Sequence, residues 1–258
     1  MDAHARIVEA LHKAGSICVL TGAGVSTESG VPTFRDPQEG LWARYDPARL
    51  STPEAFEADP ALVTRWYDER RLACLACRPN PAHLALAKLE RQVRARGGQF
   101  TLITQNIDRL HHRAGSGNPV EIHGNLHEWR CTKTGRIIEP GPEPFPEYPP
   151  RSPFGGIYRP NVVWFGEMLP QWALERGFAA AATCDVYLTI GTSGVVYPAA
   201  GITEVACDGK ALTVEITLEP TPMSGLVDFA LRGKAGRILP QLVEVDAHPS
   251  NGRGFDPV

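Results

Sequence analysis

The sequence predicts an α/β protein organised on a mostly parallel sheet. Three observations predict it. A short apolar run, Ile17-Cys18-Val19-Leu20, leads straight into the glycine-rich turn Thr21-Gly22-Ala23-Gly24-Val25-Ser26. Further strand-like runs recur along the chain with helical patterns between them. The 258 residues, 43% hydrophobic and 21% charged, match globular averages and are enough to bury a large core. That composition excludes disorder, coiled coil and collagen, and a strand followed by a glycine-rich turn suggests an α/β nucleotide fold.

The elements follow in order. Ile7, Val8, Ala10 and Leu11 have helical spacing over 3–14, and Gly15 ends that helix. The first strand and its glycine turn come next. Residues 34–83 are rich in charge and helix formers and punctuated by proline, which predicts several short helices in a small module. A helix over 82–95 precedes the strand Phe100–Thr104, and a second strand is predicted near 120–123. Eight prolines between 140 and 160 predict a loop with neither helix nor central strand. After it come a strand over Asn161–Phe165, a helix over 171–182, strands over Val186–Ile190 and Leu212–Ile216, and a last segment near 237–239.

Charge and hydropathy narrow the function classes. Lys plus Arg number 26 against 29 Asp plus Glu, a net charge of -3, which argues against a dedicated nucleic-acid or anionic-membrane binder. No apolar run approaches the ~18 residues of a membrane span. The first sixteen residues carry scattered charges, unlike a secretory signal. Six cysteines are too sparse for a disulfide scaffold and point to a reducing, cytoplasmic setting.

Four segments carry polar chemistry beside strand ends. The glycines at 22, 24 and 30 would let backbone N–H groups approach a phosphate, although Thr27 breaks the dinucleotide-binding spacing; an ordinary βα turn fits as well. Pro32-Thr33-Phe34-Arg35-Asp36 sets a ring beside a cation, which suits a ring-and-phosphate ligand or a loop ion pair. Gln105, Asn106 and Asp108 sit just past a strand, where open α/β sheets bind ligands; Asn106 or Asp108 could equally cap a helix. His123 follows another strand and could serve as a base near neutral pH, or be a structural histidine. His111 and His112 read as helix residues.

Taken in order, GAGVSTESGVPTFRD, TQNIDRLHHRAG, EIHGN, RPNVVWFGE and GTSGVVYPAAG resemble the sirtuin family of NAD-dependent protein deacylases, over roughly residues 10–240. The resemblance implies NAD as co-substrate, bound between a Rossmann-like domain (1–33, 84–125 and 160–258) and a small module (34–83 helical, 126–159 proline-rich). Gly22, Ala23 and Gly24 would pass the pyrophosphate. Phe34 would cover the nicotinamide ribose and Arg35 bind phosphate. Gln105 and Asn106 would hold the ribose, with Asn106 in the catalytic set, and Ile107 and Asp108 would read the carboxamide. Gly191, Thr192, Ser193 and Thr217 would serve the adenine side. His123 would be the catalytic base. Val163, Trp164, Phe165, Gly166 and Glu167 would offer an edge to which a substrate peptide adds as a strand. The products would be free lysine, nicotinamide and O-acyl-ADP-ribose.

Tyr67 and Arg70 lie three apart in the helical module and so share a helix face. A guanidinium and a phenol can clamp a carboxylate. The pair resembles that of sirtuins that remove succinyl and malonyl groups; the plainer reading is a solvated helix face. Two departures from the family pattern stand out. Most sirtuins hold a structural zinc with four cysteines, whereas here Cys131 is followed by Thr134 and residues 132–162 contain neither cysteine nor histidine. One thiolate cannot close a tetrahedral zinc site, so no zinc is expected, and Cys74 and Cys77 read as helix cysteines. Thr217 stands where the family commonly has Asn.

The expected function is deacylation of acylated protein lysines, favouring succinyl and malonyl over acetyl, in a monomer without nucleic-acid or membrane partners. Protein ADP-ribosyltransferase, NAD hydrolase and a non-catalytic NAD sensor are the alternatives.

Overall fold

The computed structural model describes residues 2–31, 46 and 50–243. Helix α1 (Ala3–Lys13) buries Ile7 and Leu11 and leads into β1 (Ser16–Thr21). The glycine turn after β1 forms two single turns of 3-10 helix, Ala23–Val25 and Thr27–Ser29. Three helices follow, each with a proline in its first turn: α2 (Pro53–Ala58), α3 (Pro60–Ala76) and α4 (Pro81–Ala95). Proline costs nothing there, because the first N–H groups of a helix have no internal partner. Thr52, Asp59 and Asn80 cap these helices by accepting backbone N–H groups.

Strand β2 (Gln99–Thr104), the single turn α5 (Leu110–Arg113) and β3 (Val120–Glu121) complete the first half of the main sheet. Strands β4 (Gly124–Cys131), β5 (Ile137–Ile138), β6 (Arg151–Ser152) and β7 (Gly156–Val162) then form a small antiparallel sheet in the order β5-β4-β7-β6. The chain returns through α6 (Gln171–Thr183), β8 (Val186–Ile190), α7 (Ala199–Asp208), β9 (Leu212–Thr217), β10 (Phe229–Arg232) and α8 (Ala235–Val243).

The main sheet runs β10-β9-β8-β1-β2-β3 and every pairing in it is parallel. One face carries a core of α1, α4 and α8 residues, including Leu11, Leu86 and Leu239; the other carries α6 and α7 residues, including Ala173 and Ile202. Burial on both faces explains why its strands read as continuous apolar runs. From β1 the chain builds outward to β2 and β3, then crosses back and builds the other way from β8. The strand order therefore reverses between β1 and β8, where the carboxyl ends of open sheets leave a crevice.

The expected α/β fold is the observed one, with corrections in detail. Part of the proline-rich stretch is sheet: β7 includes Pro160, paired with Trp129 of β4. Its other neighbour, β6, reaches only Gly156 and Ile157, so Pro160 meets no ladder partner on that side and its missing N–H is not needed. The strand expected over 161–165 accordingly ends at Val162. Beyond it Val163 and Phe165 donate to two different segments, the carbonyls of His123 and Ser51 (both 2.9 Å), so no single ladder continues. Helix α7 and strand β10 were not anticipated, and 237–239 lies within helix α8.

A third core lies between α3 and the small sheet, around Trp66, Tyr67, Trp129 and Trp164. The proline-rich stretch is fastened to it by a buried ion pair. The Asp68 and Arg71 side chains, three apart on α3, are 0% and 1% exposed. Arg71 Nε donates to Asp68 Oδ1 (2.7 Å), and its two terminal nitrogens donate to the carbonyls of Gly141 (2.5 Å) and Glu143 (2.7 Å). Asp68 Oδ2 accepts the Phe145 N–H (2.9 Å) and the Tyr148 hydroxyl (2.6 Å). The Phe145 ring packs edge-on against Trp129, centroids 4.8 Å apart. Removing one member of such a pair leaves a buried, uncompensated charge. Asp68→Ala is therefore expected to cost about 3–5 kcal/mol in urea unfolding and to expose residues 141–148 to proteolysis. An unchanged urea midpoint would show that this pair does not hold the segment.

Candidate functional site

The crevice at the sheet's reversal is built by close backbone contact. A Cβ on Gly22 would lie 2.8 Å from the Gly191 carbonyl oxygen, and one on Gly24 would lie 2.8 Å from Gly191 Cα. Only glycine lets the loop after β1 meet the loop after β8 so closely. The N–H groups of Gly22 and Gly24 donate to the carbonyls of Ile190 (2.9 Å) and Gly191 (2.8 Å), so these two glycines first serve to clasp the loops. Thr192 is drawn in, accepting from Gln105 Nε2 at 2.9 Å. Gly22, Gly24, Gln105, Gly191 and Thr192 thus meet where the carboxyl ends of β1, β2 and β8 come together, with Ala23 and Ser193 adjacent in the chain.

Beneath it lies a saturated polar knot on the Ser26 hydroxyl. Ser26 Oγ donates to Asp108 Oδ2 (2.7 Å), accepts from Asn106 Nδ2 (3.0 Å), and meets His83 Nε2 (3.3 Å). His83 Nδ1 faces the Asn80 N–H (3.3 Å) and must accept from it. That assigns the proton to Nε2 and makes it the donor to Ser26. One donor and two acceptor sites of a hydroxyl are then all used. Asn80 also donates to the Val25 carbonyl (2.8 Å) and Ser29 Oγ (3.0 Å), tying the start of α4 to the glycine turn. Asp108 Oδ1 accepts the Leu110 N–H (2.8 Å), so this carboxylate fixes the entry to α5 as well. Burial raises the Asp108 pKa, with the Leu110 N–H and Ser26 hydroxyl opposing. Ile107 accepts the Leu126 N–H (2.8 Å) through its carbonyl.

His123 stands at the mouth of this region. Gly124 has φ +71°, and a Cβ there would fall 2.1 Å from the Asn161 carbonyl oxygen. Glycine is required, and its tight approach to β7 places His123 at the crevice. His123 Nδ1 lies 2.9 Å from the Gln105 carbonyl, which can only accept, so Nδ1 carries the proton and Nε2 the lone pair. Nε2 has no hydrogen-bond partner among the described residues. Burial lowers the imidazole pKa, partly offset by the Gln105 bond, so the ring is neutral near pH 7. This is the form a general base needs.

The predicted peptide edge divides. Trp164 turns inward and is 2% exposed, whereas Phe165 is 56% exposed. Glu167 accepts both terminal nitrogens of Arg159 (2.7 and 3.0 Å) and the Trp164 N–H (2.9 Å), so its carboxylate shapes the turn at Gly166, φ +88°. Val163 N–H is held by the His123 carbonyl, linking this stretch to the segment after β3.

Tyr67 lies behind Trp164, ring centroids 6.2 Å apart, and donates its hydroxyl to Ser51 Oγ at 3.0 Å. Burial pushes the phenol up to about 12. Half-buried Arg70 sits over the Trp66 ring, 4.8 Å from its centroid, and its charge favours the ionised form of the phenol. The structure therefore gathers Tyr67, Arg70, Trp164 and Phe165 at one place. Phe34 and Arg35 lie outside the described residues. Thr217 donates to the Glu219 carbonyl (2.8 Å) and accepts from Arg232 (2.9 Å), which also pairs with buried Glu215 (2.8 Å).

Among the described residues no three His, Cys, Asp or Glu side chains come together to hold a metal ion. The partners of Cys131 are the hydroxyls of Ser152 and Thr134, which lower its thiol to about 7.

The sequence profile of the Sir2 family matches residues 22–198. The chain belongs to the Sir2 family. It is 50% identical over 227 residues to NAD-dependent protein deacylase 2 of Pyrobaculum aerophilum, covering 88% of this chain and 89% of that protein. It is 48% identical over 254 residues to NAD-dependent protein deacylase 1 of Pseudomonas aeruginosa, covering 92% and 96%. A Sir2 homologue solved with NAD superposes with a TM-score of 0.84 at 41% identity, over 95% of this chain and 93% of that one. A Sir2 protein solved with a deacetylated p53 peptide and 3'-O-acetyl ADP-ribose superposes with a TM-score of 0.79 at 30% identity, over 93% and 97%.

Sequence reasoning on this Sir2 protein missed Ser26 and His83 as partners. Ser26 lies within the glycine turn, but nothing in local spacing pairs it with a histidine 57 positions on. It also missed His111, which is buried, bonds Thr21 Oγ1 at 2.9 Å and packs on His83 with centroids 4.8 Å apart. Asn80 followed by proline was the available signal, since it marks a helix cap that fixes where His83 begins its turn.

Burial lowers His83 to about 4, below its ordinary 6.5. Above 6.5 the ring is neutral whether the chain is folded or unfolded. Between 6.5 and about 4 only the unfolded chain takes up the proton, so stability falls as pH falls, and His83 alone accounts for roughly 3 kcal/mol. Urea unfolding across this range should show the loss, and His83→Gln should flatten the slope by about that share. The same slope in the variant would remove His83 from the account.

Proposed function

We propose that this Sir2 protein uses NAD as co-substrate to remove acyl groups from protein lysines, and that it favours succinyl and malonyl over acetyl. The observation that carries the reading is the pairing of a phenol and a guanidinium, Tyr67 and Arg70, behind the stretch that His123 also holds. Ser51 binds Phe165 and His123 binds Val163 through main-chain bonds. Val163 and Phe165 are two residues apart, at most roughly 7 Å. The same short stretch thus sets the distance between the base and the acyl end of the site. The names of the curated relatives support NAD-dependent deacylation, and the crevice at the sheet's reversal suits a dinucleotide.

NAD supplies the departing nicotinamide and the ribose carbon to which the acyl oxygen adds. The chain's own groups do the rest. Asn106 and Asp108, fixed by Ser26, face the ribose and carboxamide end. Gln105 joins them at the ribose, and Thr192, bonded to Gln105, lines the adenine side. His123 Nε2 takes a proton from a ribose hydroxyl, with Nδ1 steadied by the Gln105 carbonyl. Tyr67 and Arg70 hold the carboxylate of the acyl group with charge-assisted hydrogen bonds. No helix among the described residues is long and apolar enough to cross a membrane, and all six cysteines are free, which suits a reducing cytoplasm.

Two measurements test the reading. One lysine peptide, supplied acetylated, succinylated and malonylated with NAD, should lose succinyl and malonyl faster by mass spectrometry. Arg70→Met should lower kcat/KM for the succinylated peptide roughly 10- to 100-fold, mainly through KM. Acetyl preference in the wild type would sink the acyl assignment, and nicotinamide release without peptide turnover would point to an NAD hydrolase. Separately, His123→Asn should reduce kcat about 10²- to 10⁴-fold. Because burial lowers the His123 pKa, the acid limb of kcat/KM should lie below pH 6.5. A limb above that value would contradict a buried neutral base.

A further inference from the structure

Among the described residues one non-glycine residue has left-handed backbone: Arg109, at φ +58° and ψ +17°. A side chain at such a φ crowds its own backbone, and the conformation persists only where the surroundings hold it. Three carboxylates surround the Arg109 guanidinium. Nη1 donates to Glu139 Oε1 (3.0 Å), Nη2 donates to Glu128 Oε1, and Nε lies 3.7 Å from Glu121 Oε1. Two of the three are themselves fixed. Glu128 accepts from Asn161 Nδ2 (2.8 Å), and Glu121 accepts from Asn125 Nδ2 (2.9 Å) and lies 3.3 Å from His112 Nε2. Glu121 ends β3, Glu128 lies in β4 and Glu139 follows β5, so the cage joins the main sheet to the small one.

The turn at Arg109 decides where Asp108 points. Asp108 Oδ1 accepts the Leu110 N–H, a bond that closes a ring across Arg109, while Oδ2 accepts the Ser26 hydroxyl. Rotating Arg109 to an ordinary negative φ would swing the Leu110 N–H off Oδ1. The carboxylate could then stay with Ser26 or follow Leu110, but not both. Strand β4 tracks the same turn residue by residue. The Leu126 N–H donates to the Ile107 carbonyl (2.8 Å), His127 Nε2 donates to the Asp108 carbonyl (3.2 Å), and Glu128 takes the Arg109 side chain. We propose that Arg109 is a positioning residue, whose ion pairs to Glu121, Glu128 and Glu139 hold the left-handed turn that aims the Asp108 carboxylate at the nicotinamide end of NAD, a proposal that rests on the reading of Asp108 above.

Side chain and backbone pull in opposite directions at this position. Steric crowding drives the residue out of the left-handed region, and the ion pairs hold it in. The Arg109 side chain is 24% exposed, so water screens those pairs only in part. Glycine takes this conformation without crowding, whereas alanine meets the crowding and brings no charge. Both substitutions leave the same three carboxylates without their cation. The difference between the two therefore isolates the backbone.

The test compares Arg109→Ala with Arg109→Gly, reading the KM for NAD and the KM for one acylated lysine peptide. Arg109→Ala should raise the KM for NAD roughly fivefold more than Arg109→Gly does, with the peptide KM alike in both. A residue that only clamped the small sheet to the main one would move the two variants equally, since both lose the same ion pairs. Glu128→Gln should raise the KM for NAD in the wild type and should not raise it further in the Arg109→Gly background. That comparison stands even where Arg109→Ala does not fold. Equal KM values for NAD in the alanine and glycine variants, or a further rise from Glu128→Gln in the glycine background, would overturn the role of Arg109. Asp108→Ala separates the two readings. If it raises the KM for NAD while the two Arg109 variants agree, only this inference falls. If it leaves that KM unchanged, the reading of Asp108 fails and takes this inference with it.

Discussion

The site depends on one hydroxyl. Ser26 joins the loop after β1 to the loop after β2 and to the first turn of α4, and it has no hydrogen-bonding capacity left over. Because all three partners are buried, no water can replace any of them, and each unpaired group would carry its full desolvation cost. The Asp108 carboxylate can stay in this apolar setting because Ser26 and the Leu110 N–H feed it hydrogen bonds. The His83 ring is kept neutral by the same burial and so acts as a fixed-tautomer donor. Asn106 and Asp108 are thereby presented at one edge of the sheet as a rigid pair.

The small module is held by a different device. A buried Asp68–Arg71 pair directs hydrogen bonds along a proline-rich stretch that has little secondary structure of its own. Prolines restrict that stretch in the unfolded chain as well, which lowers the entropy lost on folding. Cys131, with Ser152 and Thr134 around it, contributes no metal-binding cluster among the described residues. Charge pairing and aromatic packing, with Phe145 on Trp129, tie this stretch to α3 and the small sheet. The module in turn positions α3, and α3 carries Tyr67 and Arg70.

Both devices converge on the short stretch Val163–Phe165. Its main chain is bonded to His123 on one side and Ser51 on the other, so these two residues are held on one piece of backbone. Arg159 and Glu167 close the turn beyond it, with the guanidinium 3.3 Å from the Trp164 ring centroid. The shape of this surface is set by a charge pair and aromatic rings.

The sequence by itself determined the parallel sheet, the glycine turn, the polar segments at strand ends and the family they resemble. Those features are local: apolar runs, glycines where backbones must touch, and polar residues just past a strand. It also placed Tyr67 and Arg70 on one helix face, since helical spacing is a property of the chain alone. Only the tertiary structure decided which polar groups meet. Ser26 and His83 are 57 positions apart, and Tyr67 finds Ser51 across a helix junction, contacts that no periodicity encodes. Pro160 could join a strand because its neighbour on one side stops short, a fact of sheet assembly. Trp164 turned inward for a similar reason, since Val163 and Phe165 are bonded to separate segments that the fold brings to either end of it. Long-range pairing of buried polar groups is set by where the folded chain excludes water, and that is known only once the elements have packed.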